Sequence, residues 1–189
     1  MRGCDWSGGG LGIASARLLV LVALLLPQAV LAQATVPDTV NGPSGLPTPR
    51  FVSLKADRVN LRSGPGTEYP TTWVFRRAGQ PVEVIKEFEA WRQVRDAEGT
   101  TGWVLSTMLS GRRTALVLPW EIKPGQAVPE VAIRDAGREA ARSVAVVEAG
   151  VIANLGLCDT RWCAVSVGDY KGFIEQNKLW GVYPNEAVK

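Results

Sequence analysis

Three kinds of side chain stand at spacings that could do chemistry: two cysteines, Cys158 and Cys163; three carboxylates at alternating positions, Glu83, Glu87 and Glu89; and a scatter of aromatic rings. The cysteines flank Asp159-Thr160-Arg161-Trp162, a run suited to a hairpin turn that sets the two sulfurs across from each other. In an oxidising compartment such a pair closes as a disulfide, contributing about 2 kcal/mol on the chain-entropy view of a short loop. A redox or metal role asks for a CxxC spacing or further ligands, so no metal site and no cofactor are expected. The carboxylates read as the solvated face of a strand rather than as an acid/base pair. The chain has no histidine, which removes Ser-His-Asp and Cys-His nucleophiles and His-ligated zinc hydrolases. No catalytic residue is assigned, and a non-enzyme is expected.

The ends set the compartment. Arg2 and Arg17 precede an apolar run at residues 18–26, then Pro27 and small residues ending at Ala32 or Ala34. The run is far shorter than the roughly 20 residues that span a bilayer, so residues 1–34 are expected to be a cleaved signal peptide and the protein periplasmic or extracellular. Residues 35–50, rich in Pro, Gly, Ser and Thr, read as a flexible tether. The formal charge is +3 at pH 7, too small to suggest a nucleic-acid partner, and no membrane insertion is expected after cleavage.

The remainder says nearly the same thing twice. Val59-Asn60-Leu61-Arg62, Trp91-Arg92-Gln93-Val94 and Gly102-Trp103-Val104 recur, at almost equal spacing, as Val131-Ala132-Ile133-Arg134, Trp162-Cys163-Ala164-Val165 and Gly172-Phe173-Ile174. Alternation broken by turn residues predicts strands over residues 58–62, 73–75, 81–88, 91–95 and 101–105, with a helical turn at 106–109. Strands over 144–148, 151–157, 162–167 and 170–175 follow in the second copy. The expected fold is all-β: two small tandem barrels at residues 51–118 and 130–186, joined by a Pro-rich linker at 119–129.

Asn60-Leu61-Arg62-Ser63-Gly64-Pro65 followed by Gly79, Trp91, Val94, Gly102-Trp103-Val104 and Leu109 resembles the bacterial SH3 domain, SH3b. The second copy is similar but carries Arg134-Asp135-Ala136-Gly137 and Phe173 where the family has Arg-Ser-Gly-Pro and Trp. The resemblance implies SH3-like barrels in an exported tandem protein, a cell-envelope setting and recognition of peptidoglycan. In wall hydrolases these domains sit beside a catalytic domain, and none is expected beside the two copies here. The expected function is thus a non-catalytic binding module for peptidoglycan or its stem peptides. The alternative is an adaptor that docks an envelope protein and takes no wall ligand. Tyr69, in the loop after Gly66, with Asn60, Arg62, Glu68 and Trp73 as neighbours, is the candidate ligand site, although Arg62 could equally tie that loop to itself. Trp91, Trp103, Trp162, Leu61 and Val94 are expected in the core. The oligomeric state is left open.

Overall fold

The computed structural model describes residues 37–189; the expected signal peptide lies outside the described residues. The described residues form one compact unit, built around two seven-stranded antiparallel sheets of identical topology. The first contains β3 (Arg50–Leu54), β4 (Val59–Arg62), β5 (Thr71–Phe75), β6 (Pro81–Phe88), β7 (Trp91–Arg95), β8 (Thr101–Leu105) and β9 (Leu109–Ser110). Its spatial order is β5-β4-β8-β7-β6-β3-β9. The second contains β10 (Thr114–Val117), β11 (Glu130–Arg134), β12 (Ser143–Glu148), β13 (Ile152–Cys158), β14 (Trp162–Val167), β15 (Tyr170–Glu175) and β16 (Leu179–Trp180), in the order β12-β11-β15-β14-β13-β10-β16. Strand for strand the orders superpose. Even the bulges correspond: the register shifts between Leu61 and Arg62 and between Val84 and Lys86 recur between Ile133 and Arg134 and between Leu155 and Cys158. A bulge bends its strand and increases the local twist, which helps so few strands wrap around a core.

Each sheet closes over aliphatic side chains projecting from one face. Leu61, Val82, Val84, Val94 and Val104 fill the first interior, and Ala115, Val117, Ile133, Ala153 and Ile174 the second, all fully buried. The repeated glycine of Gly102-Trp103-Val104 has a steric cause. A Cβ on Gly102 would stand 2.5 Å from Leu61 Cγ and 2.9 Å from the Arg62 carbonyl oxygen. Gly172 meets Arg134 and Ile133 in the same way, at 2.3 and 2.7 Å. In both copies β8 or β15 crosses the bulged strand so closely that no side chain fits between them.

The boundary between the copies differs from the one the pattern suggests. The strand Thr114–Val117 pairs with β13 and β16 and opens the second sheet, where residues 51–118 had been expected to form the first barrel. Residues 119–129 are then no linker: residues 118–129 form a loop between the first two strands of the second sheet, the place that residues 55–58 occupy in the first. What joins the barrels is residues 111–113. The apolar run Ala115-Leu116-Val117 could have been assigned to either copy, since periodicity does not say which sheet a strand joins.

A second correction concerns the tether. Residues 40–48 are folded as a hairpin of β1 (Val40–Asn41) and β2 (Pro47–Thr48), and its turn is anchored to Glu87, which accepts hydrogen bonds from the Ser44 amide and the Ser44 hydroxyl, both at 2.8 Å. Glu87 also pairs with Arg50 at 2.8 Å and Arg92 at 3.1 Å. With only 8% of its surface exposed, Glu87 departs from the solvated face read from alternation. A segment too polar to bury its own core is ordered here by a charge on the neighbouring barrel.

The disulfide is present. Cys158 and Cys163 face each other on β13 and β14 with their Cα atoms 4.0 Å apart. Asp159 shapes the turn between them, its carboxylate accepting from the Arg161 amide at 2.7 Å and the Trp162 amide at 2.6 Å. Those two amides hold the Asp159 carboxyl below its ordinary value. Cys158 also exchanges backbone hydrogen bonds with Val188, at 3.0 and 3.1 Å, tying down the C-terminal segment. Replacing both cysteines by serine is expected to cost about 2 kcal/mol and to raise amide exchange at Val188; an unchanged melting curve under reduction would refute a stabilising role.

Candidate functional site

The loop after β4 is built around Arg62. Its Nη1 donates to the Thr67 carbonyl at 3.0 Å and the Tyr69 carbonyl at 2.6 Å, so the guanidinium ties the loop. Arg134 repeats the device, donating to the Ala141 carbonyl at 2.8 Å. The Gly64-Pro65-Gly66 run makes room for side chains: a Cβ on Gly64 would lie 2.3 Å from the Tyr69 ring, and one on Gly66 2.1 Å from the Glu68 carboxylate. Tyr69 rests on Gly64 with 40% of its surface exposed, and Asn60 is exposed on β4. Trp73 is 57% exposed on the outermost strand β5. It lines a different feature, a groove of about 520 Å³ shared with Arg76, Arg77, Pro119, Ile122 and Gly150 of both barrels. Arg62, Glu68 and Tyr69 are thus brought together, while Trp73 belongs to the boundary between the barrels.

The expected core residues divide by strand parity. Leu61 and Val94 are fully buried. Trp91 and Trp103 are only half-buried and stand outside the buried cluster, which corrects the core placement expected for both. Side chains alternate along a strand: Trp91 lies three residues from Val94 and therefore on the opposite face, and Trp103 sits between the inward Gly102 and Val104. That signal was available in the sequence. Trp162 is also opposite the core residues Cys163 and Val165, yet it is buried, because the loop at Gly137 covers it.

The densest polar and aromatic constellation lies on the seam of the two barrels. Phe51 projects outward from β3, meeting Trp180 edge-on at 5.1 Å between ring centroids and Tyr183 at 4.7 Å. The Arg113 guanidinium lies 5.9 Å from the centre of the Phe51 ring. Beside these rings Glu83, only 3% exposed, accepts the Tyr183 hydroxyl at 2.9 Å on one oxygen. Its other oxygen takes Arg95 through Nε at 2.8 Å and Nη2 at 2.5 Å. Burial, reinforced by the Glu83 carboxylate, pushes the Tyr183 hydroxyl far above its ordinary value, so it stays protonated and donating. Thr114 Oγ1 to the Gly79 carbonyl at 2.7 Å and Arg77 Nη1 to the Gly150 carbonyl at 3.1 Å complete the joint. A short connection and hydrogen bonds given from both sides, that of Thr114 buried and that of Arg77 at the surface, join the pair.

Over this joint opens a groove of about 630 Å³. Trp120, Trp180, Leu179 and Tyr183 supply its apolar surface, and Arg95 and Arg161 its charge. Both guanidinium groups are paired, Arg95 with Glu83 and Arg161 with Glu139, so the combination can hold a ligand with a flat apolar face and polar groups at its rim. Sequence patterning does not single out Phe51, Trp120 or Tyr183 as ligand contacts, because a groove formed by two domains leaves no periodic trace in either. Among the described residues no group of three or more His, Cys, Asp or Glu side chains could hold a metal, and both described cysteines are joined to each other.

Small antiparallel sheets of this topology, doubled in one chain, define a class of compact all-β domain that exposes loops and grooves. The chain belongs to the bacterial SH3 domain family, which matches residues 55–111 and 127–181. A 57-residue stretch is 33% identical to YrvJ of Bacillus subtilis, assigned as an N-acetylmuramoyl-L-alanine amidase; the match covers 30% of this chain and 11% of that protein. Among solved structures, NlpC1 of Trichomonas vaginalis is similar over 70% of this chain and 45% of its own, at 14% identity and a TM-score of 0.31. An NlpC/P60 family protein of Bacillus cereus is similar over 69% and 55%, at 13% identity and a TM-score of 0.30. The chain thus spans about half of these structures and a small part of the amidase.

Proposed function

We propose that this protein is a non-catalytic, exported binding module of the cell envelope that recognises peptidoglycan or its stem peptides. The observation that carries the reading is the pair of bacterial SH3 domains, together with a 57-residue stretch that is 33% identical to a protein assigned as an N-acetylmuramoyl-L-alanine amidase. The chain's lack of histidine and the engagement of Cys158 with Cys163 support binding rather than bond cleavage. The second reading, an adaptor for an envelope protein, draws on the exposed Val146, Leu157 and Tyr170 of the second barrel.

Co-sedimentation of the unit Ala34–Lys189 with purified sacculi separates the two. Saturable pelleting supports wall binding. A protein that stays in the supernatant at every sacculus concentration removes the wall ligand and leaves the adaptor. Tyr69→Ala, run alongside, reports whether the loop of the first barrel takes part.

A further inference from the structure

The small formal charge of +3 conceals an uneven distribution over the surface. The turn at residues 76–80, between β5 and β6, is packed between two other connections of the chain. On one side the Gly79 amide donates to the Leu54 carbonyl at 2.8 Å and the Leu54 amide to the Gln80 carbonyl at 2.9 Å, which brings up residues 55–58. On the other, Arg112 Nη2 lies 3.1 Å from where a Gly79 Cβ would stand, and Thr114 Oγ1 donates to the Gly79 carbonyl. Arg58 precedes β4 and Arg76 follows β5; since Val59 pairs with Phe75, both arginines stand at the same end of that ladder. Lys55, Arg58, Arg76, Arg77 and Arg112 therefore surround one turn, and all are exposed.

These charges are available. Among the described residues the side chains of Lys55, Arg58, Arg76 and Arg112 take no hydrogen bond and no ion pair, and Arg77 gives one N–H to the Gly150 carbonyl, an uncharged acceptor. On the same connections the carboxylate is Asp57, which accepts the Ala78 amide at 3.3 Å. Asp96 and Glu98 line the far side of the groove that Arg76 and Arg77 share; Asp96 is buried, and its Oδ1 accepts the Glu98 and Thr100 amides.

Apolar side chains stand beside the cations. Trp73, 57% exposed, and Ile122, 47% exposed, line that same groove. Ile122 arrives there on residues 118–129, the loop that is so much longer than residues 55–58 of the first barrel. An exposed indole among unpaired cations suits the surface of an anionic bilayer, where headgroup phosphates meet the cations and the amphipathic ring sits at headgroup level. A soluble polyanion would use the cations and leave Trp73 and Ile122 in water. Among the described residues no helix is long and apolar enough to cross a membrane; the patch is built to lie on a bilayer, through charge and a small apolar area together.

We propose that the end of the first barrel around Gly79 docks on an anionic phospholipid bilayer, Arg58, Arg76, Arg77 and Arg112 meeting the headgroup phosphates and Trp73 and Ile122 entering the interface. This goes beyond the wall-binding reading and does not depend on it. The test is flotation of the unit Ala34–Lys189 with vesicles of phosphatidylcholine alone and of phosphatidylcholine mixed with phosphatidylglycerol. Binding is expected to the mixed vesicles and to weaken as salt is added. Arg58→Gln combined with Arg76→Gln should weaken it about thirtyfold, and Trp73→Ala about tenfold. Arg138→Gln combined with Lys171→Gln, which removes the same charge from the second barrel, should change it by no more than about twofold. Equal losses in the two double variants would make net charge the cause and overturn the patch, and equal binding to the neutral vesicles would overturn the headgroup contact. If Trp73→Ala binds vesicles as tightly as the parent and soluble polyphosphate binds as tightly as the vesicles, the surface is a polyanion site and the lipid proposal fails. Vesicles contain no wall and purified sacculi no lipid, so absence of flotation sinks the membrane contact alone, and absence of pelleting with sacculi sinks the wall ligand alone.

Discussion

Leu61→Ala is expected to cost the first barrel about 3–5 kcal/mol, a large part of the stability of any small domain. Leu61 is fully buried, and it occupies the space that Gly102 leaves open, since a Cβ there would stand 2.5 Å from Leu61 Cγ. The strands on either side are fixed by their ladders and cannot close over the vacated volume, so transfer and cavity costs add. Trp91→Ala, which removes a far larger side chain, is expected to cost only about 1–2 kcal/mol, because the ring is half-buried on the outer face. Urea denaturation of both variants decides the point. A Trp91 variant less stable than the Leu61 variant would place the indole in the core after all.

Glu87→Ala should destabilise by about 3 kcal/mol and release the amino-terminal hairpin. The carboxylate is the common partner of Ser44, Arg50 and Arg92; deleting it strands two largely buried guanidinium groups, the costly way to break such a cluster. Hydrogen exchange at residues 40–48 should rise toward the unprotected rate, and persistence of protection there would show that apolar contacts hold the hairpin. Acid should imitate the substitution. Burial opposes ionisation of Glu87, but the Ser44 hydrogen bonds, then Arg50 and Arg92, outweigh it and hold its carboxyl below the ordinary value of 4.5. The unfolded chain therefore takes up the proton first as pH falls. The stabilisation is complete above the ordinary carboxyl value and is lost as pH drops through the lower folded one, so the hairpin should detach in acid and stay docked at neutral pH.

Duplication here has produced two barrels with one topology and different surroundings. Glu83, on the outer face of β6, is covered by the second barrel through Tyr183; Glu87, four residues along the same strand, is covered by the hairpin. The first barrel thus has part of its outer face closed by its neighbours, while the second leaves Val146, Leu157 and Tyr170 in solvent. The longer loop of the second barrel turns its Trp120 back over the joint. The copies are complementary parts of one surface rather than two repeats of one site.

The amino-acid sequence by itself determined what depends on neighbours along the chain. Residues 81–88, 91–95, 101–105, 162–167 and 170–175 alternate between turn residues and are strands with those bounds, because a half-buried strand must alternate. The repeat dictated one topology twice, and Cys158 and Cys163 met because a hairpin turn separates them. The same alternation also held the answer for Trp91 and Trp103, whose parity opposes that of Val94 and Val104. Only the tertiary structure decided which sheet receives Thr114–Val117, that residues 40–48 fold onto Glu87, that Glu83 is buried, and that Phe51, Trp120, Trp180 and Tyr183 meet over a groove. Periodicity reports which face of a strand turns inward; what comes to cover the outer face is contributed by residues distant in the chain, whose approach is governed by burial and charge between elements and leaves no local pattern.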